Sequence, residues 1–396
     1  MSKRITYLDN AATTPVRPEV LEAMLPYLGS EAFGNPSSAH RFGRAARAGI
    51  EEAKRAVANA VGAEPNQVVF TSGGTEADNL AIIGAALASR DRGGPFRVAV
   101  SAGEHKAALA AAHAVKHLGG EEIILPVTAS GIVEDAALEA ALARGGVAVV
   151  SVMWVNNEVG TVQPVAQIAA RCCDAPPSPG VLFHSDAVQA FGKVPLSLRD
   201  VNCPLLTISG HKIGAPKGIG ALIVRDRKAV EAIIHGGGQQ FGIRPGTENV
   251  PGIIALGVAA RLAAAEQQAL AARLRELRDE LERRLLAIVP DAVINGWQGE
   301  RAPHICNVSI PGTDSEALLM HLDLAGIACS SGSACSTGSV EPSHVLTAMG
   351  VPRDLGVAAL RFSFGKDSTI EDVDAVSQAL PRVVEKVRSL SAVLHR

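Results

Sequence analysis

Apolar positions along this chain fall into two alternating rhythms. Short, β-branched runs at 97–100, 123–125, 147–153, 181–184, 205–208 and 219–224 read as strands. Between them lie stretches with helical spacing. From 41 to 61, for example, Ile50, Ala53, Val57 and Val61 recur with charges between them. A short β-branched strand also runs into Thr71-Ser72-Gly73-Gly74-Thr75, with a helix expected from there to about Ala88. Strands alternating with helices predict an α/β layer built on a mostly parallel sheet. A long helical pattern follows from 251 to 289. Its charged turns, 273–284, read as a solvated face and mark the passage into a second unit. Past Asp291 the pattern resets: a strand at 305–310, a helix at 314–325 capped by Asp314, a short strand at 327–329, a strand at 359–364 and a final helix from about Ile370.

Size and composition narrow this picture. At 396 residues the chain exceeds the length at which a single core stops growing, ~250–300 residues, so two domains are expected. With 47% hydrophobic and 19% charged residues it can fill sizeable cores. A formal net charge of -3 gives no electrostatic reason to expect nucleic acid or an anionic membrane as partner. Residues 1–8 lack the apolar centre of a signal peptide, and no apolar run reads as long enough to span a bilayer. The cysteines (172, 173, 203, 306, 329 and 335) suggest neither a disulfide framework nor a paired metal-ligand motif. A reduced, cytoplasmic protein without a metal is expected.

The candidate chemistry lies just after the strands. Glu104-His105-Lys106, Asn156-Asn157-Glu158, His184 to Gln189, and Ser209-Gly210-His211-Lys212 each follow a strand-like run. Each alone is compatible with a helix cap. Together they point to one site, because ligands of open parallel sheets collect outside the C-terminal strand ends. Lys212 reads either as a snorkelling surface residue or as an amine whose pKa burial lowers for Schiff-base chemistry. Thr71 to Thr75 is either a tight turn or a phosphate-binding helix start. A lysine, a carboxylate, a histidine and an anion site are what a pyridoxal phosphate enzyme requires. Asp186 would pair with the ring nitrogen, and His105 would cover the ring and serve as acid or base. Thr75, Ser209 and His211 would hold the phosphate, and Arg361 would fork onto a substrate carboxylate. Cys335 sits on a Ser/Gly-rich stretch, 330–339, whose composition suits a moving loop.

The motifs YLDNAATTP, FGNPSSAHRFG, FTSGGTEADN, EHKA, VNNEVGTVQP, HSDAVQAFGKVPL, SGHKIGAPKGIGAL, RPGTENVPG, SSGSACSTGSVEPSHVL and RFSFG occur in that order and cover nearly the whole chain. They resemble the cysteine desulfurases of the NifS/IscS family, most nearly the nitrogen-fixation type. The resemblance implies a fold-type I pyridoxal phosphate homodimer. Its large domain, 18–255, would hold a mostly parallel seven-stranded sheet. A smaller α+β domain, 1–17 with 256–396, would carry the catalytic cysteine loop at about 330–340. It further implies conversion of L-cysteine to L-alanine, with sulfur left on Cys335 as a persulfide and passed to an acceptor such as an iron–sulfur scaffold protein.

By the same resemblance Lys212 is the Schiff-base lysine, Asp186 the partner of the pyridinium and His105 the ring-stacking acid/base. Gln189 and Asn157 lie near the ring hydroxyl and the substrate. Gly74, Thr75, Ser209 and His211 form the phosphate cup, which Thr247 completes from the other subunit. Arg361, with Asn35 nearby, forms the substrate-carboxylate site. Cys329 falls outside the SGSAC motif and reads as a buried small hydrophobe. Cys172, Cys203, Cys306 and Cys173 match no catalytic position. DAPPSPG, 174–180, reads as a surface insertion, and scaffold docking through the longer C-terminal tail of the housekeeping branch is not expected. The alternatives are a selenocysteine lyase, against which the SSGSAC stretch argues, and a non-catalytic sulfur carrier, against which Lys212, Asp186 and His105 argue.

Overall fold

A computed structural model describes residues 5–174, 180–331 and 341–394. The strands, in chain order, are β1 (Thr6–Tyr7), β2 (Val68–Thr71), β3 (Arg97–Ser101), β4 (Glu121–Leu125), β5 (Val147–Ser151), β6 (Leu182–Asp186), β7 (Leu205–Ser209) and β8 (Gly220–Val224). β9 (Val293–Ile294), β10 (Ile305–Ser309), β11 (Ile327–Ala328) and β12 (Ala359–Ser363) complete the set.

Seven of them form one sheet in the order β2-β8-β7-β6-β5-β3-β4. Only β8 runs against its neighbours β2 and β7; the other pairings are parallel. The strands read as near-continuous apolar runs because both faces are covered. Along β2, Val68 and Phe70 enter one core cluster and Val69 the other. Ala221 and Ile223 of β8 likewise oppose Leu222 and Val224. One face packs on helices Arg41–Val61 and the start of Val250–Ile288, the other on helix Lys106–His117.

A second core holds Leu274, Leu281 and Leu285 from the same long helix, Val308 of β10, Phe362 of β12 and Val376 and Leu380 of helix Ile370–Leu394. Its antiparallel sheet has the order β12-β10-β9, and the N-terminal arm joins this unit through the parallel pair β1-β11. Asp314 caps helix Ser315–Leu324 as expected, accepting from the Ala317 N–H at 2.8 Å.

The expected single helix after Thr75 is interrupted by a π-helical turn at Leu80–Gly84. Gly84 lies where an added Cβ would meet the Glu231 carbonyl oxygen at 2.5 Å, so the wide turn admits a neighbouring segment. Cys329 is half-buried against the second core rather than buried. One further expectation is corrected. Helix Val250–Ile288 contains a window of mean hydropathy 1.2, long and apolar enough by composition to cross a membrane. In the fold 56% of that window is buried, with Ile253, Leu256 and Ala260 in the core of the large sheet.

Candidate active site

The parallel strands deliver their polar clusters to a single cavity of about 400 Å³. Gly74 and Thr75 open the helix after β2, His105 comes from the turn after β3 and Asn157 from the turn after β5. Asp186 ends β6 with Gln189 just beyond, and Ser209, His211 and Lys212 follow β7. Arg361 reaches the same wall from β12 of the second unit. Asn35 and Thr247 are exposed and line no part of this cavity in the single chain; Asn35 Oδ1 accepts from the Ser37 N–H. Cys335 lies outside the described residues, but Ser330, five positions before it, is in the cavity wall.

Lys212 ends a 3₁₀ turn, Gly210–Lys212. Its Nζ donates to the Ala11 and Ala12 carbonyl oxygens, each at 2.6 Å. Burial pushes its pKa down to about 8; the Arg361 charge acts in the same direction and the Asp186 carboxylate against it. The snorkelling alternative is therefore set aside: this amine faces a cavity.

Asp186 is buried, and burial raises its pKa while the Val188 N–H, 2.8 Å from Oδ1, favours the carboxylate. Burial also lowers the pKa of His105, although solvent reaches its ring through the cavity. His105 Nδ1 accepts from the Ala107 N–H at 3.2 Å. In the neutral ring the proton is thus on Nε2. His211 is held neutral by burial and by Lys212, with its pKa near about 4, and its Nδ1 pairs with the Thr13 hydroxyl at 3.1 Å.

Arg361 is almost enclosed. Nη1 donates to the Asn157 carbonyl at 2.8 Å, Nη2 pairs with Asp9 at 2.9 Å, and Nε has no partner among the described residues. Two further wall residues, Asn157 and Asp78, each hold a buried Oδ1 without a hydrogen bond among the described residues. Buried polar atoms are normally paired, so these mark a cavity shaped for a polar ligand.

Residues that the sequence reading passed over also shape the site. The Ala11 carbonyl accepts from both Lys212 and Gln189, the latter at 2.9 Å. Asp78 is buried on the helix that begins at Gly74, and Asp9 occupies part of the Arg361 fork. An acid on the buried face of a short helix was the one legible signal, for Asp78. A main-chain carbonyl leaves none.

Fold and site together define an enzyme of the aminotransferase kind: the family described as aminotransferase class-V matches residues 6–376, and the chain belongs to that family, which is dependent on pyridoxal phosphate. Within it the chain stands among the NifS/IscS-like cysteine desulfurases. Cysteine desulfurase IscS of Dictyoglomus turgidum is 43% identical over 389 residues, covering 98% of this chain and 97% of that protein. A cysteine desulfurase of Cereibacter sphaeroides is 45% identical over 387 residues, covering 97% of each. Among solved structures, a NifS-like protein superposes with a TM-score of 0.86 at 33% identity, covering 98% of this chain and 100% of that one. DndA from Streptomyces lividans gives 0.74 at 39% identity, covering 90% and 99%.

Proposed function

We infer that this protein is a cysteine desulfurase that binds pyridoxal phosphate in the cavity and moves sulfur from L-cysteine to Cys335. The observation that carries the reading is an amine poised near neutrality, Lys212, in one cavity with a buried carboxylate, Asp186, and a guanidinium, Arg361. The unpaired Asn157 and Asp78 oxygens and the mix of acidic and basic side chains in the wall fit the cofactor's ring and phosphate. Lys212 would hold its aldehyde carbon, Asp186 its ring nitrogen, Gln189 and Asn157 its ring hydroxyl, and His105 its ring face. Gly74, Thr75, Ser209 and His211 would hold the phosphate. When bound, the cofactor supplies the electron sink for a carbanion at the substrate α-carbon.

The residues divide the remaining work. The Arg361 fork holds the substrate carboxylate, which adds to or displaces the Asp9 contact. Lys212, released as a neutral amine, takes the α-proton. His105 exchanges a proton through Nε2 with the substrate thiol. The Cys335 thiolate attacks the substrate sulfur; the carbon–sulfur bond breaks and a sulfur–sulfur bond forms. L-cysteine and one protein thiol thus become L-alanine and one protein persulfide, with no external oxidant or reductant.

The other cysteines suit this role poorly. Burial pushes the thiols of Cys172, Cys203 and Cys329 up to about 12 and that of Cys306 well above its ordinary value. Cys173, on helix Val165–Asp174, is exposed and lines no part of the cavity. Cys335 is five residues from Ser330, a span of at most ~18 Å of extended chain, which keeps it within reach of the cavity.

The same reading includes a homodimer in the cytoplasm and a sulfur-acceptor protein. Exposed Leu21, Leu25 and Leu28 on helix Pro18–Leu28, with Phe33 beyond it, offer an apolar face for a second copy. Thr247 and Asn35, exposed here, would then join the site of the other subunit. The division into 18–255 and 1–17 with 256–396 is supported by two packed cores, which helix Val250–Ile288 joins. The test is alanine and sulfide release from L-cysteine with a reductant, in the parent and in Cys335→Ala, alongside the cofactor absorbance. Loss of turnover with the absorbance retained is expected. Full turnover in the variant overturns the persulfide and favours a selenocysteine lyase.

A further inference from the structure

A second amine stands behind the first. Lys193 is 6% exposed, and its Nζ donates to the main-chain carbonyl of Lys212 at 2.9 Å. Both lysines also border a small cleft of about 120 Å³, alongside Thr14, Ile213, Ala263 and Leu270. One carbonyl does not offset the desolvation of an ammonium, and an apolar side chain of similar length would fill the same space.

Among the described residues, charged groups in the cleft do not provide a counter-ion. Glu266 is engaged by Arg17 at 2.9 and 2.7 Å, with Lys366 3.9 Å away. Asp367 borders the cleft but makes no ion pair with Lys193. His304, which lies near enough to feel the Lys193 charge, is neutral through burial. Below about pH 8 Lys193 therefore carries a charge with no opposing one among the described residues, and points it at the main chain of Lys212. On its other side Lys212 faces Asp186, His105, His211, Asp9 and Arg361. A neutral amine has two N–H bonds, and the Ala11 and Ala12 carbonyls use both, leaving the lone pair free.

We propose that Lys193 is a positioning residue for Lys212: its buried amine tethers the Lys212 carbonyl and, while protonated, sets a like charge behind the Lys212 side chain. The proposal rests on the reading of Lys212 as the cofactor lysine. Burial holds both amines near about 8, and Lys193 is among the charges that lower Lys212, after burial and Arg361. Like charges close together in a dry site favour loss of one proton.

The test uses cofactor-free full-length protein, pulsed with acetic anhydride from pH 6.5 to 10, with acetylation of the Lys212 peptide read by mass spectrometry. Lys193→Arg keeps charge and donor, Lys193→Gln keeps the donor alone, and Lys193→Met keeps neither. The labelling midpoint of the parent and of Lys193→Arg is expected near about 8. Loss of the like charge raises it by about half to one pH unit in Lys193→Gln and Lys193→Met. Lys193→Met alone also changes the plateau rate, through loss of the tether. Midpoints within about 0.2 pH units of the parent in both uncharged variants overturn the proposal, since a purely structural lysine leaves the titration where it was. If Lys193→Met does not fold, the Gln variant decides alone. Alanine formation is measured separately: a parent that makes none refutes the desulfurase reading and leaves the labelling result intact.

Discussion

The lowered pKa of Lys212 has a direct consequence for cofactor capture. An amine attacks an aldehyde only when neutral, so with Lys212 as the proposed cofactor lysine the loading rate of cofactor-free protein should follow its neutral fraction. With the pKa near about 8 instead of 10.5, about a quarter of the amine is neutral at pH 7.5 rather than about 0.1%. That is a gain of roughly 200-fold in reactive amine. The sign is fixed by the cause: burial and the Arg361 charge both oppose the ammonium, so neutrality is reached at lower pH. The assay mixes cofactor-free protein with pyridoxal phosphate in a stopped-flow absorbance instrument. It runs from pH 7 to 10, above the second ionisation of a phosphate monoester at ~6. The rate constant is expected to rise toward pH 8 and to be flat above about 9. Lys212→Ala serves as the control that reports capture without the amine. A rate that climbs tenfold per pH unit up to pH 10 would refute the reasoning, because it would describe a solvated lysine.

Two other expectations follow from the geometry. On the proposed reading, Asp186→Asn would replace a charge-assisted hydrogen bond to the ring nitrogen by a neutral one, a change of about 1.5–3 kcal/mol at most. Cofactor retention in equilibrium dialysis should weaken by about tenfold to a hundredfold, and unchanged retention would remove Asp186 from its role. Gly220→Ala would place a Cβ 2.8 Å from the Gly73 Cα and carbonyl carbon and from the Ile208 carbonyl oxygen. These are main-chain atoms that cannot swing aside, so the urea midpoint should fall by the equivalent of about 1–3 kcal/mol.

Much of the architecture was legible in the chain. Apolar, β-branched runs flanked by helical spacing announced the sheet, and the polar residues after those runs announced the cavity, because strand ends of a parallel layer meet on one side. Lys212, Asp186, His105 and Asn157 were found in this way, each from its place after a strand. Strand direction was not legible: a two-residue period looks the same from either end, and the reversal of β8 appears only when it is paired with β2 and β7. Nor did composition expose helix Val250–Ile288 as the element shared by two cores, since apolarity does not say what covers it.

What the sequence determined by itself was the list of chemical groups and the order in which strands present them, properties carried by side-chain type and spacing. What only the tertiary structure decided was how those groups behave. Arg361 comes to Lys212 from the second unit, Asp9 comes to Arg361 from the N-terminal arm, and the Ala11 and Ala12 carbonyls come to the Lys212 amine. Lys193 reaches the Lys212 carbonyl in the same manner. A pKa depends on burial and on charges within a few ångströms, and neither quantity is local in the chain. The lysine was written in the sequence; its readiness to react was made by the fold.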